Sequence, residues 1–120
     1  MRVAGIGFRA AAGVGSLRDA MARAGGSVDI VATAEDKAAA APVQEFAQEL
    51  GVDLVAVPLA MLAPQRTPTR SGRVPARYGG GSLCEAAALA AAGRGAVLTV
   101  TRVISADGLA TVAIAERNEG

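Results

Sequence analysis

A glycine-led helix start is the part of this sequence best suited to bind a ligand. Three glycines at 79–81 precede Ser82, and Glu85 follows three residues later, which is the spacing of a capping box. We expect Ser82 to accept a hydrogen bond from the Glu85 N–H, the Glu85 carboxylate to accept one from the Ser82 N–H, and Gly93 to end the helix. Glycines admit a ligand, and the positive end of the helix dipole favours an anion. The pattern predicts an anion-binding helix start, with a ligand-free tight turn as the alternative.

The segment before this helix is cationic. Between Asp53 and Glu85 the chain has no acidic residue, yet four arginines fall there: Arg66, Arg70, Arg73 and Arg77. Because the whole chain has a net charge of only +1, the imbalance is local. It favours a specific anionic partner over bulk nucleic acid, and a solvated basic loop is the alternative.

Single residues offer weaker hints of catalysis. Lys37 is the only lysine, and we expect it in the first turn of a helix, facing either a ligand or solvent. Cys84 falls in the first turn of the glycine-led helix, where the dipole can lower a thiol pKa, but a small buried side chain is the competing interpretation. Glu85 is better explained as a capping partner than as a catalytic acid. Lys37 and Glu85 are the two candidates for a catalytic role.

Residues 5–10, Gly-Ile-Gly-Phe-Arg-Ala, match the letters of a dinucleotide-binding fingerprint. Asp29 lies at about the right distance for a ribose hydroxyl. The fingerprint needs a helix that opens within the motif, however, whereas Gly13, Gly15 and Ser16 delay the helix. A glycine-lined strand end is the better interpretation, and Arg9 beside it is suited to bidentate contact with a carboxylate or phosphate.

Composition argues against several classes of protein. One cysteine and no histidine predict no disulfide, no metal site and no cofactor, since the commonest zinc ligand and general base are both missing. Two phenylalanines and one tyrosine are too few for a base-stacking platform, so nucleic acid is not expected. No apolar run approaches the roughly 20 residues that span a bilayer, and no signal sequence is visible. We expect a cytoplasmic protein without a membrane partner, and the sequence leaves its oligomeric state open.

Alternating strand and helix patterns must position these residues. Strands are predicted at 3–6, 28–33, 52–57, 96–103 and 109–115, the last two joined by the hairpin signal Asp107-Gly108. A first helix begins after Ser16, and a second is opened by Glu35 and Asp36. The second helix has its buried stripe at Val43, Phe46, Ala47 and Leu50, and a helical turn at 59–62 precedes the loop.

These elements predict one domain over residues 1–120, a three-layer α/β/α fold with a mainly parallel sheet and an antiparallel C-terminal hairpin strand. Ligands of such sheets bind beyond the carboxyl ends of the strands. That edge would gather Gly7 and Arg9 after the first strand, Thr33 to Lys37 at the second, and the arginine loop after the third.

Five motifs resemble a known family in order and spacing. They are Gly-Ile-Gly-x-Arg at 5–9, Ala-Thr at 32–33 followed by Lys37, Thr-Pro-Thr-Arg-Ser at 67–71 with Val74, Gly-Ser-Leu-Cys-Glu-Ala-Ala-Ala-Leu at 81–89, and Thr-Val-Ala-Ile-Ala at 111–115. Together they are similar to the CobE and CbiG C-terminal domain family of cobalamin biosynthesis, over nearly the whole chain. The Thr-Pro-Thr-x-Ser loop is closer to the free-standing CobE. Phe8, where the family often has cysteine, and Ala38 to Ala41, where it has an acid, depart from the pattern.

The resemblance implies a protein that binds a carboxylate-rich precorrin or corrinoid intermediate and protects, presents or helps to convert it, with other pathway enzymes as further partners. The alternative is a hydrolase or isomerase of that intermediate, as in the CbiG reaction, which opens a lactone with loss of a two-carbon aldehyde. By position in the motifs, the cleft would include Gly7, Arg9, Lys37, Ser71, Gly81, Ser82 and Glu85. The residue patterns add Thr33, Arg70, Arg77 and Gly80 as ligand-binding candidates.

Overall fold

Five strands form one mixed sheet in the computed structural model, which describes residues 1–65, 67 and 82–118. The strands are β1 (Arg2–Phe8), β2 (Ile30–Ala34), β3 (Asp53–Val57), β4 (Val97–Ile104) and β5 (Ala110–Glu116). The helices are α1 (Val14–Ala24), α2 (Ala41–Leu50), α3 (Leu59–Leu62) and α4 (Leu83–Ala92). Every predicted strand is confirmed to within two residues at each end.

The sheet has the spatial order β3-β2-β1-β5-β4. The pairs β3–β2 and β2–β1 are parallel, whereas β5 pairs antiparallel with both β1 and β4. Four strands therefore share one direction and β5 alone is reversed, which confirms the mainly parallel sheet with an antiparallel hairpin strand. β5 lies inside the sheet, because the hairpin places β4 at the edge.

Helices cover both faces of the sheet, as the three-layer prediction requires. On one face α1 and α2 bury an apolar cluster that includes Ile6, Leu17 and Phe46. On the other face α3 and α4 bury a second cluster, which is rich in alanine and includes Val57 and Leu62. Within residues 1–65, 67 and 82–118, none of the helices combines the length and apolarity needed to span a bilayer.

Close contacts of β1 with α4 and with β5 explain two glycines. A Cβ atom added at Gly5 would overlap the Cys84 carbonyl oxygen and lie 2.6 Å from the Ala88 nitrogen. A Cβ atom at Gly7 would lie 2.7 Å from the Thr111 hydroxyl oxygen. Glycine at position 5 therefore lets the small alanine face of α4 approach the backbone of β1, and glycine at position 7 leaves room for the Thr111 side chain of β5.

Three local expectations about the helices are wrong. α1 begins at Val14 with Gly13 as its N-cap, so Ser16 lies inside the helix and does not cap it. Its hydroxyl instead donates to Asp107 Oδ2 at 2.6 Å, in the β4–β5 turn. Glu35 and Asp36 lie in a turn before α2, and Leu50, predicted to be buried, is 41% exposed.

Candidate ligand-binding site

The carboxyl edge of the sheet collects most of the candidate residues that the structure describes. β1 to β4 end at this edge and β5 begins there. α4 also begins there, because it runs antiparallel to β1: the space beside Gly5 is filled by Ala88, whereas the space beside Gly7 meets Leu83 at the start of the helix. The sequence-based expectation that these elements meet at one edge is confirmed.

Only one of the two hydrogen bonds of the predicted capping box forms at the start of α4. Ser82 is the N-cap, and its hydroxyl accepts the Glu85 N–H at 3.5 Å. The Ser82 N–H donates to the Thr67 hydroxyl at 3.3 Å. The reciprocal half of the capping box is wrong, because the Glu85 carboxylate accepts the Arg102 N–H from β4 at 3.0 Å.

Burial explains what Glu85 does at this position. Its side chain is 0% exposed, and a carboxylate in such a place must be hydrogen-bonded to offset the loss of water. Its bond to β4 ties the first turn of α4 to the edge strand of the sheet. The observed role is therefore structural, and a role as a proton carrier stays a prediction.

Cys84 is not an activated nucleophile in this fold. The thiol is buried, and burial raises its pKa even though hydrogen bonds to Ser82 and Thr111 and the charge of Arg102 act in the opposite direction. Since the thiolate is the reactive form, a raised pKa keeps the sulfur unreactive at neutral pH. The alternative interpretation, a small buried side chain, is the one that the structure supports.

Lys37 lies in the turn between β2 and α2 and not in the first turn of a helix. Pro42 occupies the start of α2, so the helix begins at Ala41 and leaves the preceding residues outside it. The Lys37 ammonium donates to the Phe8 carbonyl oxygen at 3.0 Å and stands 5.1 Å from the centre of the Phe8 ring. The cation therefore lies at the carboxyl end of β1, with two acids, Glu35 and Asp36, in the same turn.

The remaining described candidates differ in accessibility. Arg9 is exposed just beyond β1, and its N–H donates to the Leu109 carbonyl at 2.9 Å. Gly7 is buried between β5 and α4. Thr33 is 0% exposed, and its hydroxyl donates to the Ile6 carbonyl at 2.8 Å. Thr33 thus lies in the core near the carboxyl end of β2, and its role as a ligand-binding residue stays a prediction.

The dinucleotide interpretation is also wrong. Gly5 and Gly7 lie inside β1 against α4, and not in a turn that leads into a helix. Asp29 precedes β2, at the opposite edge of the sheet, where its carboxylate accepts the Arg2 N–H at 2.8 Å. A ribose bound beyond the carboxyl ends of the strands would be out of its reach.

Five candidates lie outside the described residues: Arg70, Ser71, Arg77, Gly80 and Gly81. Their roles stay predictions. Two described residues on either side of these positions, Thr67 and Ser82, are hydrogen-bonded to each other at the start of α4.

Two residues that the motif analysis did not single out also lie at this edge. Thr111 donates from its hydroxyl to the Gly7 carbonyl at 3.4 Å, and Arg102 contacts Glu85 through its N–H. Thr111 opens the last of the five motifs, which was a usable signal. No sequence signal indicated Arg102, because its position depends on an irregularity in β4. Among the residues that the structure describes, no group of His, Cys, Asp and Glu side chains could hold a metal ion.

The fold and this edge define a small three-layer α/β domain with Arg9, Lys37 and Arg102 along the carboxyl side of its sheet. The chain belongs to the family described as cobalamin synthesis G C-terminus, whose model matches residues 2–115. The resemblance inferred from the five motifs is thereby confirmed.

Solved structures from the same pathway share the fold. CobE, described as a protein from the cobalamin (vitamin B12) biosynthetic pathway, is 28% identical with a TM-score of 0.84, over 98% of this chain and 91% of that one. Cobalamin biosynthesis protein chiG from Agrobacterium tumefaciens is 36% identical with a TM-score of 0.72, over 99% and 100%. A putative cobalamin biosynthesis protein G homolog from Sulfolobus solfataricus, 20% identical with a TM-score of 0.68, shows the fold alone; 95% of this chain matches 36% of it. No protein of curated function matches the sequence.

Proposed function

We propose that this protein binds a carboxylate-rich precorrin or corrinoid intermediate at the carboxyl edge of its sheet, and protects, presents or helps to convert it. Membership of a cobalamin-biosynthesis family supplies the pathway. The observation that carries the proposal is the set of solvent-accessible cations on neighbouring strands at that edge.

The cations are distributed across several strands. Lys37 follows β2, Arg9 follows β1, and Arg102 lies near the end of β4, with β5 between the last two. Strands are about 4.8 Å apart, so these positions span about 14 Å of the sheet edge. That spacing suits a ligand with several separated acetate and propionate groups better than a single small anion.

The buried start of α4 contributes indirectly. The first residues of α4 are buried, namely Ser82, Cys84 and Glu85. A ligand at this edge would therefore contact the cationic side chains and not these three residues. In the sequence, Arg70 lies three residues beyond Thr67, and Arg77 lies five residues before Ser82. We infer that these arginines add to the carboxylate contacts.

Binding takes precedence over the hydrolase or isomerase alternative. Glu85 is bound to a peptide N–H in the core, and the Lys37 ammonium donates to a carbonyl oxygen. Neither contact favours a proton transfer to a ligand. A docking role toward other enzymes of the pathway follows if the protein presents its ligand to them.

A titration with tetrapyrroles tests the proposal. The purified chain is mixed with precorrin-type intermediates and with cobyrinic acid, and the absorption spectrum, gel-filtration co-elution and ligand mass are recorded. We expect co-elution with at least one of these ligands, and weaker binding of cobinamide, whose side chains are neutral amides. A new product mass would favour the enzyme alternative, and no co-elution with any carboxylate ligand would contradict the proposal.

Two variants locate the contact. Lys37→Ala and Arg70→Ala should each weaken binding by about tenfold, because a charge-assisted hydrogen bond contributes about 1.5 kcal/mol or more. Arg94→Ala is the matched control, since Arg94 is exposed in the turn after α4, at the opposite edge of the sheet. Unchanged affinity in both test variants would move the site elsewhere.

A further inference from the structure

The geometry points to Arg102 as a further ligand-binding residue, which contacts a carboxylate of the intermediate. An irregularity in β4 directs its side chain to the face of the sheet that α4 covers. This inference rests on the proposed function and names a residue of the same site. It is argued from the strand register, the buried contact to Glu85, and the accessibility of the Arg102 side chain.

The register of β4 against β5 sets the direction of the Arg102 side chain. Val100 pairs with Ile114 and Val103 pairs with Val112, so two residues of β4, Thr101 and Arg102, oppose a single residue of β5. This two-against-one arrangement is a β-bulge. In a regular strand Arg102 would share the face of Val100, which packs with the α1 and α2 cluster.

The bulge puts Arg102 opposite Ala113, whose face of the sheet is the one that α4 covers. Ala113 pairs with Gly5, and the open side of Gly5 is filled by Cys84 and Ala88 of α4. The bulge therefore moves Arg102 from the face of α1 to the face of α4. Bulges are frequent beside binding sites because they redirect a side chain in this way.

Glu85 holds this irregular backbone in place. The bulge frees the Arg102 N–H from the strand ladder, and the buried Glu85 carboxylate accepts it at 3.0 Å. A hydrogen bond to an ionised acceptor is stronger than one between neutral groups. Glu85 is thus a positioning residue for Arg102, which gives a reason for a fully buried carboxylate at this point in the fold.

The side chain of Arg102 remains available. It is partly exposed, and within the described part of the chain its guanidinium makes no hydrogen bond or ion pair. Its charge reaches the start of α4, since it acts to lower the pKa of the Cys84 thiol against the effect of burial. Glu85 lies nearby, and its buried carboxylate accepts the backbone N–H of Arg102.

An exposed apolar residue accompanies the cation. Ile104 pairs with Thr111, which faces α4, and it is 47% exposed. Arg102 and Ile104 therefore offer a guanidinium and an apolar surface on one face at the end of β4. A macrocycle with an apolar ring and peripheral carboxylates needs both kinds of contact.

Arg102→Gln tests the inference, with cobyrinic acid and the precorrin-type intermediate that wild type binds best as probes. We expect Arg102→Gln to weaken binding at least tenfold and to reduce its dependence on salt concentration, because one charged contact is lost. Arg102→Lys keeps the charge but not the fork of donors, so it should bind with intermediate affinity. Arg94→Gln, an exposed arginine at the other edge, should bind as wild type does.

A direct readout separates contact from indirect effects. In wild type the Nε–H resonance of Arg102 should shift on addition of cobyrinic acid and not on addition of cobinamide. If wild type binds and Arg102→Gln binds equally well, the inference is overturned while the proposed function stands. If wild type binds no carboxylate ligand, both fail. Should Arg102→Gln not fold, unchanged affinity in Arg102→Lys together with an unmoved Arg102 resonance would also overturn the inference.

Discussion

At the scale of single residues, Gly5 matches a nucleotide-binding motif, but the structure requires glycine there for packing. The Gly-x-Gly pattern matches part of a nucleotide fingerprint, but Gly5 accommodates α4 against β1 and Gly7 accommodates the Thr111 side chain of β5. The obstruction to a larger side chain at Gly5 is backbone on both sides, at Cys84 and Ala88, and backbone cannot rotate away. Any added atom must therefore displace the helix.

Gly5→Ala should destabilise the fold by about 3 kcal/mol, the upper part of the usual range for overpacking a core. Gly15→Ala is the matched control, because Gly15 lies in α1 with nothing within 4 Å of an added Cβ. That variant should gain about 0.5 kcal/mol from the lower entropy of its unfolded chain. Urea denaturation measures both changes, and equal stabilities for the two variants would refute this account of Gly5.

Residue types at the site could be predicted better than their contacts. Ser82 as the N-cap of α4 follows from sequence spacing alone. The partner of Glu85 does not, because its hydrogen bond joins residues 17 apart and depends on a bulge that no local pattern encodes.

At the scale of elements, the β4–β5 hairpin is fastened to α1 by a short polar network. Asp107 in the turn accepts hydrogen bonds from the Ser105 hydroxyl at 2.5 Å, the Ser16 hydroxyl at 2.6 Å and the Leu109 N–H at 3.0 Å. Asp19 of α1 accepts the Ala106 N–H at 2.7 Å. The hairpin, which brings Arg102 and Thr111 to the site, is thereby anchored to the helix layer on the opposite face.

This network predicts a specific dependence of stability on pH. Hydrogen bonds from Ser105, Ser16 and Leu109 lower the pKa of Asp107 to about 2, below the value of about 3.9 in an unfolded chain. Because the unfolded state takes up the proton first, the contribution of Asp107 is present above about pH 4 and is lost as the pH falls toward about 2. Wild type should lose stability more steeply over that range than Asp107→Asn does.

Urea denaturation at a series of acidic pH values measures the difference. Asp53→Asn, at the exposed start of β3, removes the same charge outside the network and should follow the wild-type slope more closely. Parallel curves for wild type and Asp107→Asn would contradict the assignment.

Element boundaries were predictable where glycine and proline punctuate the chain. Gly51 and Gly93 end α2 and α4 as expected, each with a positive φ. The start of α1 was missed because its N-cap is Gly13, whose side chain gives no capping signal, whereas Ser16 resembles a cap but bonds to a distant turn. In such cases a tertiary hydrogen bond replaces the capping interaction that the local sequence predicts.

At the scale of the whole molecule, the order β3-β2-β1-β5-β4 determines which residues can act together. The sequence predicted the hairpin, but not that β5 would insert beside β1 and carry β4 to the edge. That insertion brings Arg102 onto the same sheet edge as Arg9 and Lys37, which are 93 and 65 residues away from it in the sequence. Local patterns do not encode such long-range pairing.

The central claim is that a carboxylate-rich corrinoid binds at this carboxyl edge. Mapping of amide resonances in the uniformly ¹⁵N-labelled chain during titration with cobyrinic acid tests the claim most directly. We expect the largest shifts at Arg9, Lys37 and Arg102, and none beyond noise at Asp29 and Arg94 on the opposite edge. Shifts centred on Asp29 and Arg94, or no shifts at saturating ligand, would contradict the account.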